Sequence, residues 1–154
     1  MSSPPSIRYR VFRTADYGEV YAIWKKAEGV GLSESDSRDA IARYLRRNSG
    51  LSRVAVCEGR VIGAVLCGHD GRRGYLHHLA VARRWRRIGV GRTLVEACLE
   101  RLRDEGIPKC NLFLFAGNRP GKDFWRRLGW SIRDDLRLVQ RGTADASGRC
   151  LKTC

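Results

Sequence analysis

The 154-residue sequence lacks the long apolar segments of a membrane protein. No run of apolar residues approaches the roughly 20 that span a bilayer, and residues 1–6 are polar, with no apolar signal segment after them. We therefore expect a soluble, cytoplasmic protein that does not contact membranes. Hydrophobic residues still make up 43% of the chain, enough to bury one core, and the length is too short for two ordinary domains.

The cysteine spacings of a metal or redox site are also missing. The chain has six cysteines, and none of them form a C-x-x-C pair. Cys57, Cys67 and Cys110 lie in apolar runs typical of strands, and Cys98 lies on the apolar stripe of a helix. We expect these four to be buried, reduced thiols that bind no metal. The other two, Cys150 and Cys154, lie in a tail, 142–154, that has no periodicity and is predicted to be flexible.

Acidic residues are scarce. Lysine and arginine number 30 against 16 aspartates and glutamates, which gives a formal net charge of +14. Such a surface attracts polyanions, whether nucleic acid, anionic lipid or a phosphate-rich small molecule. No helix-turn-helix, zinc-finger or RNP pattern accompanies the charge, so we expect nucleic acid to bind only non-specifically.

Hydrophobic periodicity predicts one mixed α/β (α+β) domain over 6–141 in the order β-α-α-β-β-β-α-β-α-β. The central sheet is expected to be mixed but mostly antiparallel, with about six to seven strands flanked by about four helices. Gly59-Arg60 is predicted to join two strands in a hairpin. Strands are predicted at 7–12, 51–58, 61–68, 75–82, 110–115 and 137–141.

The most informative segment is the turn at 83–93, which joins the strand 75–82 to a helix. A strand that enters a helix through a glycine turn leaves backbone N–H groups free to bind an anion, and the helix dipole assists them. Gly89 and Gly91 allow a phosphate to approach the backbone closely. A G-x-G pattern is weak by itself, and no Lys-Ser/Thr pair makes it a P-loop, so a tight turn beside a solvated basic run is the alternative. The cations around the turn are Arg83, Arg84, Arg86, Arg87 and Arg92.

Two motifs in this half of the chain resemble those of the GNAT family of N-acetyltransferases. Leu79-Ala80-Val81 followed by Arg86-x-x-Gly89-x-Gly91 resembles the family's motif A, and the stretch from Asn118 to Phe124-Trp125-Arg126-Arg127-Leu128-Gly129-Trp130 resembles its N…FYxxxGF pattern. The resemblance covers about 7–141. It implies the GNAT fold, acetyl-coenzyme A (acetyl-CoA) as cosubstrate, and direct transfer of acetyl to a primary amine in a ternary complex.

The resemblance also assigns residues to the cosubstrate. The strand before the turn would offer backbone groups to the pantetheine arm, and the sheet would splay beside it to leave a wedge for the thioester. Leu79 and Val81 would make these backbone contacts, and Asn118 would contact the pantetheine arm. The pyrophosphate cradle would consist of Arg86, Arg87, Gly89, Val90, Gly91, Arg92 and Thr93.

The sequence departs from the family where protons are transferred. The tyrosine that often protonates the leaving thiolate is replaced by Trp125, whose indole N–H cannot act as an acid in this way. A strand glutamate that some members use corresponds to Phe113. Both customary proton-handling residues are therefore missing.

His77 is the best remaining candidate for the general base. Strict alternation along the strand would place His77 on the same face as Tyr75, Leu79 and Val81, and His78 on the opposite face. His77 is therefore predicted to accept the amine proton, with Tyr75 as a proton relay, while the alternative is an ordinary packed histidine. An acceptor of low pKa could also react by positioning alone.

The acceptor is expected to enter near the segment from Trp24 to Asp39. This segment carries four acidic side chains in an otherwise basic part of the chain. They could attract a cationic amine, although helix capping also explains such residues. The sequence does not identify the acceptor, which is a small molecule or a peptide, nor does it choose between a monomer and a homodimer. A protein that binds acetyl-CoA without turnover, as a sensor, and a basic nucleic-acid-binding module are the alternative functions. The acids are Glu28, Glu34, Asp36 and Asp39.

Overall fold

The computed structural model describes residues 3–144, which form a five-stranded sheet in the order β1-β2-β3-β4-β5. The first four strands pair antiparallel with their neighbours and β5 runs parallel to β4, so the predicted mixed, mostly antiparallel sheet is confirmed. The strands are β1 Ile7–Val11, β2 Arg53–Cys57, β3 Arg60–His69, β4 Gly74–Val81 and β5 Cys110–Leu112. The helices are α1 Tyr17–Lys26, α2 Arg38–Arg47, α3 Val90–Asp104 and α4 Arg119–Arg127.

Local residues set the element boundaries. Glu58 and Gly59 both have positive φ, at 50° and 76°, so the hairpin turn lies one residue earlier than the predicted Gly59-Arg60. The Ser37 hydroxyl caps α2 by accepting a hydrogen bond from the Ala40 N–H at 3.2 Å. Gly106, with φ at 77°, follows the end of α3, as its position in the sequence predicts.

Helices cover both faces of the sheet. On one face, α3 and α4 bury a cluster that includes Leu94, Val95 and Trp125 against β2, β3 and β4. On the other face, α1 and α2 bury Trp24 and Ile41 against a second set of strand residues. Each strand residue therefore has a side chain directed either to the α3 face or to the α1/α2 face, and this division determines what the site can contain.

The cysteines in the described residues behave as expected. Cys57, Cys67 and Cys98 are buried and Cys110 is half-buried, and all four are free thiols. The pKa of Cys67 is raised by its hydrogen bond with Cys98 and by burial, and burial raises the pKa of Cys110 to about 12. These thiols are therefore packing groups rather than nucleophiles. The remaining two cysteines lie outside the described residues.

The sheet has fewer strands than predicted. Residues 137–141 form no strand, and Leu138 and Val139 are exposed, Val139 to 90%. The apolar residues whose alternation predicted this strand are therefore not buried against the core. The strand β5 is also shorter than predicted, because it ends at Leu112 and not at residue 115. Within 3–144, no helix is long and apolar enough to span a membrane.

Candidate active site

The parallel strands β4 and β5 separate soon after they pair. Their register runs Gly74 with Cys110, Tyr75 with Asn111 and Leu76 with Leu112, and no later pair is present in the described chain. β4 continues for five more residues, to Val81. A wedge therefore opens between the second half of β4 and the segment 113–117, as the motif resemblance implied.

A β-bulge interrupts β4 at the wedge. His77 pairs with Leu66 and Ala80 pairs with Ala64, so a step of two residues in β3 faces a step of three in β4. His78, within the bulge, has φ at 54°, in the left-handed region that non-glycine residues rarely adopt. The extra residue reverses the alternation of side chains between the two halves of the strand.

The predicted common face for His77, Leu79 and Val81 is consequently wrong. Leu79 and Val81 pack against the core on the α3 face. His77 lies on the α1/α2 face, where its ring is 6.3 Å from that of Tyr44 of α2. The predicted opposite orientation of His78 is also wrong, because the two histidine rings lie 6.4 Å apart. Period-two reasoning holds only for a strand without a bulge.

His78 is fixed by contacts with two other elements. Its Nε2 lies 2.8 Å from Asp36 Oδ1, and since an ionised carboxylate only accepts hydrogen bonds, Nε2 carries the proton. Trp24 Nε1–H donates to the His78 carbonyl oxygen at 2.9 Å. Asp36 is only 5% exposed, and its Oδ2 accepts a hydrogen bond from the Ser33 N–H at 2.9 Å. Sequence reasoning missed the pair; the spacing of Ser33 and Asp36 could have indicated the turn that they cap, but not the histidine.

A cleft of about 250 Å³ opens on the α1/α2 face at the bulge. One wall comes from the segment that sequence analysis assigned to the acceptor, and the floor comes from β3 and β4. Burial lowers the pKa of His77; the neighbouring His78 lowers it further, and Asp36 opposes this shift. His77 is therefore the neutral imidazole at neutral pH. The lining residues are Gly31, Ser33, Ser35, Asp36, Ile41, Tyr44, Leu66, His77 and His78.

Tyr75, His77 and Phe113 form an aromatic group where the cleft meets the wedge. The ring of Tyr75 is nearly parallel to that of His77, with centroids 6.3 Å apart, and lies 6.2 Å from Phe113. Phe113 is 59% exposed. Hydrocarbon therefore occupies the position where the resemblance places a carboxylate, and Tyr75 is the member of this group that carries a hydroxyl.

The turn before α3 has the geometry of an anion site. Gly89 has φ at 92° and precedes α3, and a Cβ placed on it would meet nothing within 4 Å, so a ligand has open access to this backbone. The first N–H groups of α3 have no intrahelical partner. Arg86 Nε–H donates to the Val81 carbonyl at 2.9 Å, which ties the turn to β4, and the Thr93 hydroxyl donates to the Gly89 carbonyl at 2.9 Å. A phosphate group fits this donor set.

Gly91 and Arg87 add two details that the motif does not predict. A Cβ on Gly91 would lie 3.4 Å from Phe124 Cζ, so this glycine also permits close packing of α3 against α4. Arg87 has φ at 66° and its side chain is exposed, as is that of Arg92. The guanidinium groups of these two arginines can therefore approach a phosphate from solvent.

Asn118 and Trp125 have structural roles at α4. Asn118 Oδ1 accepts the Gly121 N–H at 2.9 Å and caps the helix, which leaves Nδ2 as its donor for a ligand. Trp125 is 8% exposed and packs edge-on against Trp130, with centroids 4.9 Å apart. Trp125 is therefore a core residue, and its indole supplies no acid to the cleft.

A splayed mixed sheet and a glycine turn at a helix N-terminus are the features that the motif resemblance implies for a coenzyme A-dependent acetyltransferase. Consistent with that class, the sequence profile of the Acetyltransferase (GNAT) family matches residues 17–130. The chain belongs to the Acetyltransferase (GNAT) family, whose cosubstrate is acetyl-CoA.

Individual proteins share the sequence or the fold of this chain. Acetyltransferase SG1711 of Sodalis glossinidius (strain morsitans) is 29% identical over 130 residues, which cover 84% of this chain and 91% of that protein. Ard1 from Thermoplasma volcanium superposes with a TM-score of 0.74 at 23% identity, covering 82% of this chain and 84% of the other. PaiA N-acetyltransferase from Thermoplasma acidophilum, in complex with coenzyme A, gives 0.74 at 19% identity, covering 84% and 92%.

Proposed function

We propose that this protein transfers acetyl from acetyl-CoA to a primary amine of a small molecule or peptide, by direct attack in a ternary complex. The observation that carries the proposal is the junction of the histidine-lined cleft with the wedge between β4 and β5. An amine in the cleft would approach the wedge from the α1/α2 face. The free, buried thiols fit a reducing cytoplasm, where we place the reaction.

Acetyl-CoA supplies an activated acetyl thioester, and the chain's residues divide the work of holding it. The α3 turn would bind the pyrophosphate through backbone N–H groups and arginine side chains. The β4 backbone at Leu79 and Val81 faces the wedge without a strand partner on that side, and Asn118 would use its Nδ2 group. The proposed cradle consists of Arg86, Arg87, Gly89, Val90, Gly91, Arg92 and Thr93.

His77 would accept the proton of the attacking amine. It follows the last β4 residue that pairs with β5, and it lines the cleft. Its lowered pKa keeps it unprotonated at neutral pH, as a base requires. Tyr75, stacked on His77, would relay the proton. His78 is the alternative acceptor of the proton. Asp36 binds its Nε2–H and fixes the ring in the same cleft, which leaves Nδ1 as the nitrogen that can accept.

The loss of the tyrosine and glutamate proton handlers is tolerable on energetic grounds. Neutralising a lysine amine of pKa about 10.4 at pH 7 costs about 4.6 kcal/mol, whereas an α-amine near 7.8 costs only about 1 kcal/mol. One histidine that removes the proton during attack is enough to offset the smaller of these two costs. An acceptor whose amine has a low pKa therefore suits this site best.

The test is a panel of amines and peptides incubated with acetyl-CoA, with release of free thiol as the readout. Thiol release that depends on an amine, with the acetylated amine identified by mass spectrometry, supports the proposal. Saturable acetyl-CoA binding with no turnover across the panel would favour the sensor function instead. Thiol release without an acetylated amine would indicate hydrolysis and would contradict amine transfer.

A further inference from the structure

A second cleft, of about 370 Å³, continues from the histidine cleft along α2. The two share Ser35 and Tyr44, so a molecule can occupy both without crossing the core. Its lining residues are Glu34, Ser35, Ala40, Arg43, Tyr44 and Arg47, and we call it the arginine cleft.

One face of α2 forms the length of the arginine cleft. Ala40, Arg43, Tyr44 and Arg47 recur at helical spacing, and the rise of an α-helix places the ends of this row about 10 Å apart. Tyr44 lies between the two clefts, since its ring also contacts His77 across the first one. An acceptor that extends past Tyr44 would therefore have one end beside His77 and the other beside the arginines of α2.

The charges in the two clefts favour an anion beyond the amine. The Asp36 carboxylate is engaged by His78 and by the Ser33 N–H. Within 3–144, the side chains of Arg43 and Arg47 have neither an ion pair nor a hydrogen bond, and Glu34 is the one acid that lines their cleft. The arginine cleft therefore has two guanidinium groups and one carboxylate, in a chain of net charge +14. This excess of positive charge disfavours a polycationic acceptor and favours a negative group in the cleft.

We infer that the acceptor is an amine that carries a carboxylate. Its amine lies beside His77 and its carboxylate lies between Arg43 and Arg47, where guanidinium groups bind carboxylates through paired N–H donors. The inference rests on the proposed acetyl transfer and specifies the acceptor for that same site. It differs from the expectation that loop acids recruit the acceptor, since Asp36 is already paired with His78.

The experiment compares acceptors that differ only in the carboxylate. A series of linear ω-amino acids is measured against alkylamines of the same chain length, with an aminoglycoside as a polycationic amine. We expect the best amino acid to have a KM at least about 10-fold below that of its alkylamine, and the difference to shrink as salt rises. The aminoglycoside is expected to be the weakest acceptor.

Variants of α2 supply the control. Arg43→Ala and Arg47→Ala each should raise the KM for the amino acid about 3- to 10-fold, leave that for the alkylamine unchanged and leave kcat nearly unchanged, as expected for binding alone. Arg46→Ala removes the same charge from the same helix without lining the cleft and should change neither KM. Arg43→Glu should raise the KM for the amino acid most.

Two kinds of failure are distinguishable. Turnover of alkylamines or the aminoglycoside with equal or lower KM, unaffected by the Arg43 and Arg47 variants, overturns the inference and leaves acetyl transfer intact. If no acceptor turns over, acetyl transfer itself fails, and calorimetry of 6-aminohexanoate and hexylamine with the coenzyme A-loaded protein still decides the point. Equal affinity for the two, or no binding of either, refutes the carboxylate site.

Discussion

Removing the Asp36 carboxylate should loosen the loop before α2 from the β4 bulge. Asp36→Ala deletes two charge-assisted hydrogen bonds, at 2.8 Å to His78 and at 2.9 Å to the Ser33 N–H. Hydrogen bonds to charged groups contribute about 1.5–3 kcal/mol each. Water can reach the exposed Ser33 once the carboxylate is gone, so we take the lower end and expect a loss of about 3 kcal/mol in the free energy of unfolding. For a chain of this size, that corresponds to a Tm lower by about 6–12 °C.

Urea unfolding and steady-state kinetics measure the two consequences. Asp36→Asn keeps an accepting oxygen and should lose about half as much stability. Asp39→Ala removes a neighbouring carboxylate that is exposed and should change the unfolding free energy by less than about 0.5 kcal/mol. Acceptor KM should rise in both Asp36 variants, because Asp36 lines the cleft. Equal stability of Asp36→Ala and Asp39→Ala would refute the claim that the pair fastens the loop.

Four further predictions concern the cosubstrate, the base, the pH dependence of stability and the surface charge. Acetyl-CoA should raise the Tm of the wild type. Gly91→Glu should abolish this shift and Gly142→Glu should not. An unchanged wild-type melting curve at millimolar acetyl-CoA would refute the cosubstrate site. His77→Ala should lower kcat by about 10²–10⁴-fold with little change in the KM for acetyl-CoA. In the wild type, the acidic limb of the pH profile of kcat should lie below the usual histidine range, because burial lowers the pKa of His77. Full kcat in His77→Ala with the same acidic limb would exclude His77 as the base. The same lowered pKa means that the unfolded chain binds more protons between the folded and unfolded pKa values, so stability should fall as pH drops through that window, and less so in His77→Ala. DNA binding should be weak, independent of sequence and steeply lost with salt, and tight sequence-selective binding in a gel-shift assay at physiological salt would show otherwise.

Local patterns predicted the order of elements through α4 and the glycine turn before α3. The apolar stripe of α3, Gly89 before it and Gly106 after it are short-range signals, and each lies where the sequence indicates. The hairpin turn differs by one residue, because the twist of the strands favours a pair with positive φ, and Glu58-Gly59 adopts it.

The features that sequence reasoning missed depend on distant residues. Asp36 and His78 are 42 positions apart, and neither has a local pattern that points to the other. The bulge arises from the register between β3 and β4, which no alternation within β4 reveals. The segment 137–141 has an apolar pattern, but alternation alone does not supply a neighbouring strand.

The single extra residue at the bulge acts as a phase shift within one strand. Before it, odd-numbered side chains such as Tyr75 and His77 face the α1/α2 side of the sheet, whereas after it Leu79 and Val81 pack the strand against α3. The odd-numbered side chains therefore line the cleft side in one half of the strand and pack in the core in the other. Substitutions of Leu79 and Val81 should act mainly through stability, whereas we expect substitutions of Tyr75 and His77 to act mainly through turnover. Deleting His78 would restore strict alternation along β4 and leave His77 in the cleft and Leu76 in the core, while removing the side chain that pairs with Asp36.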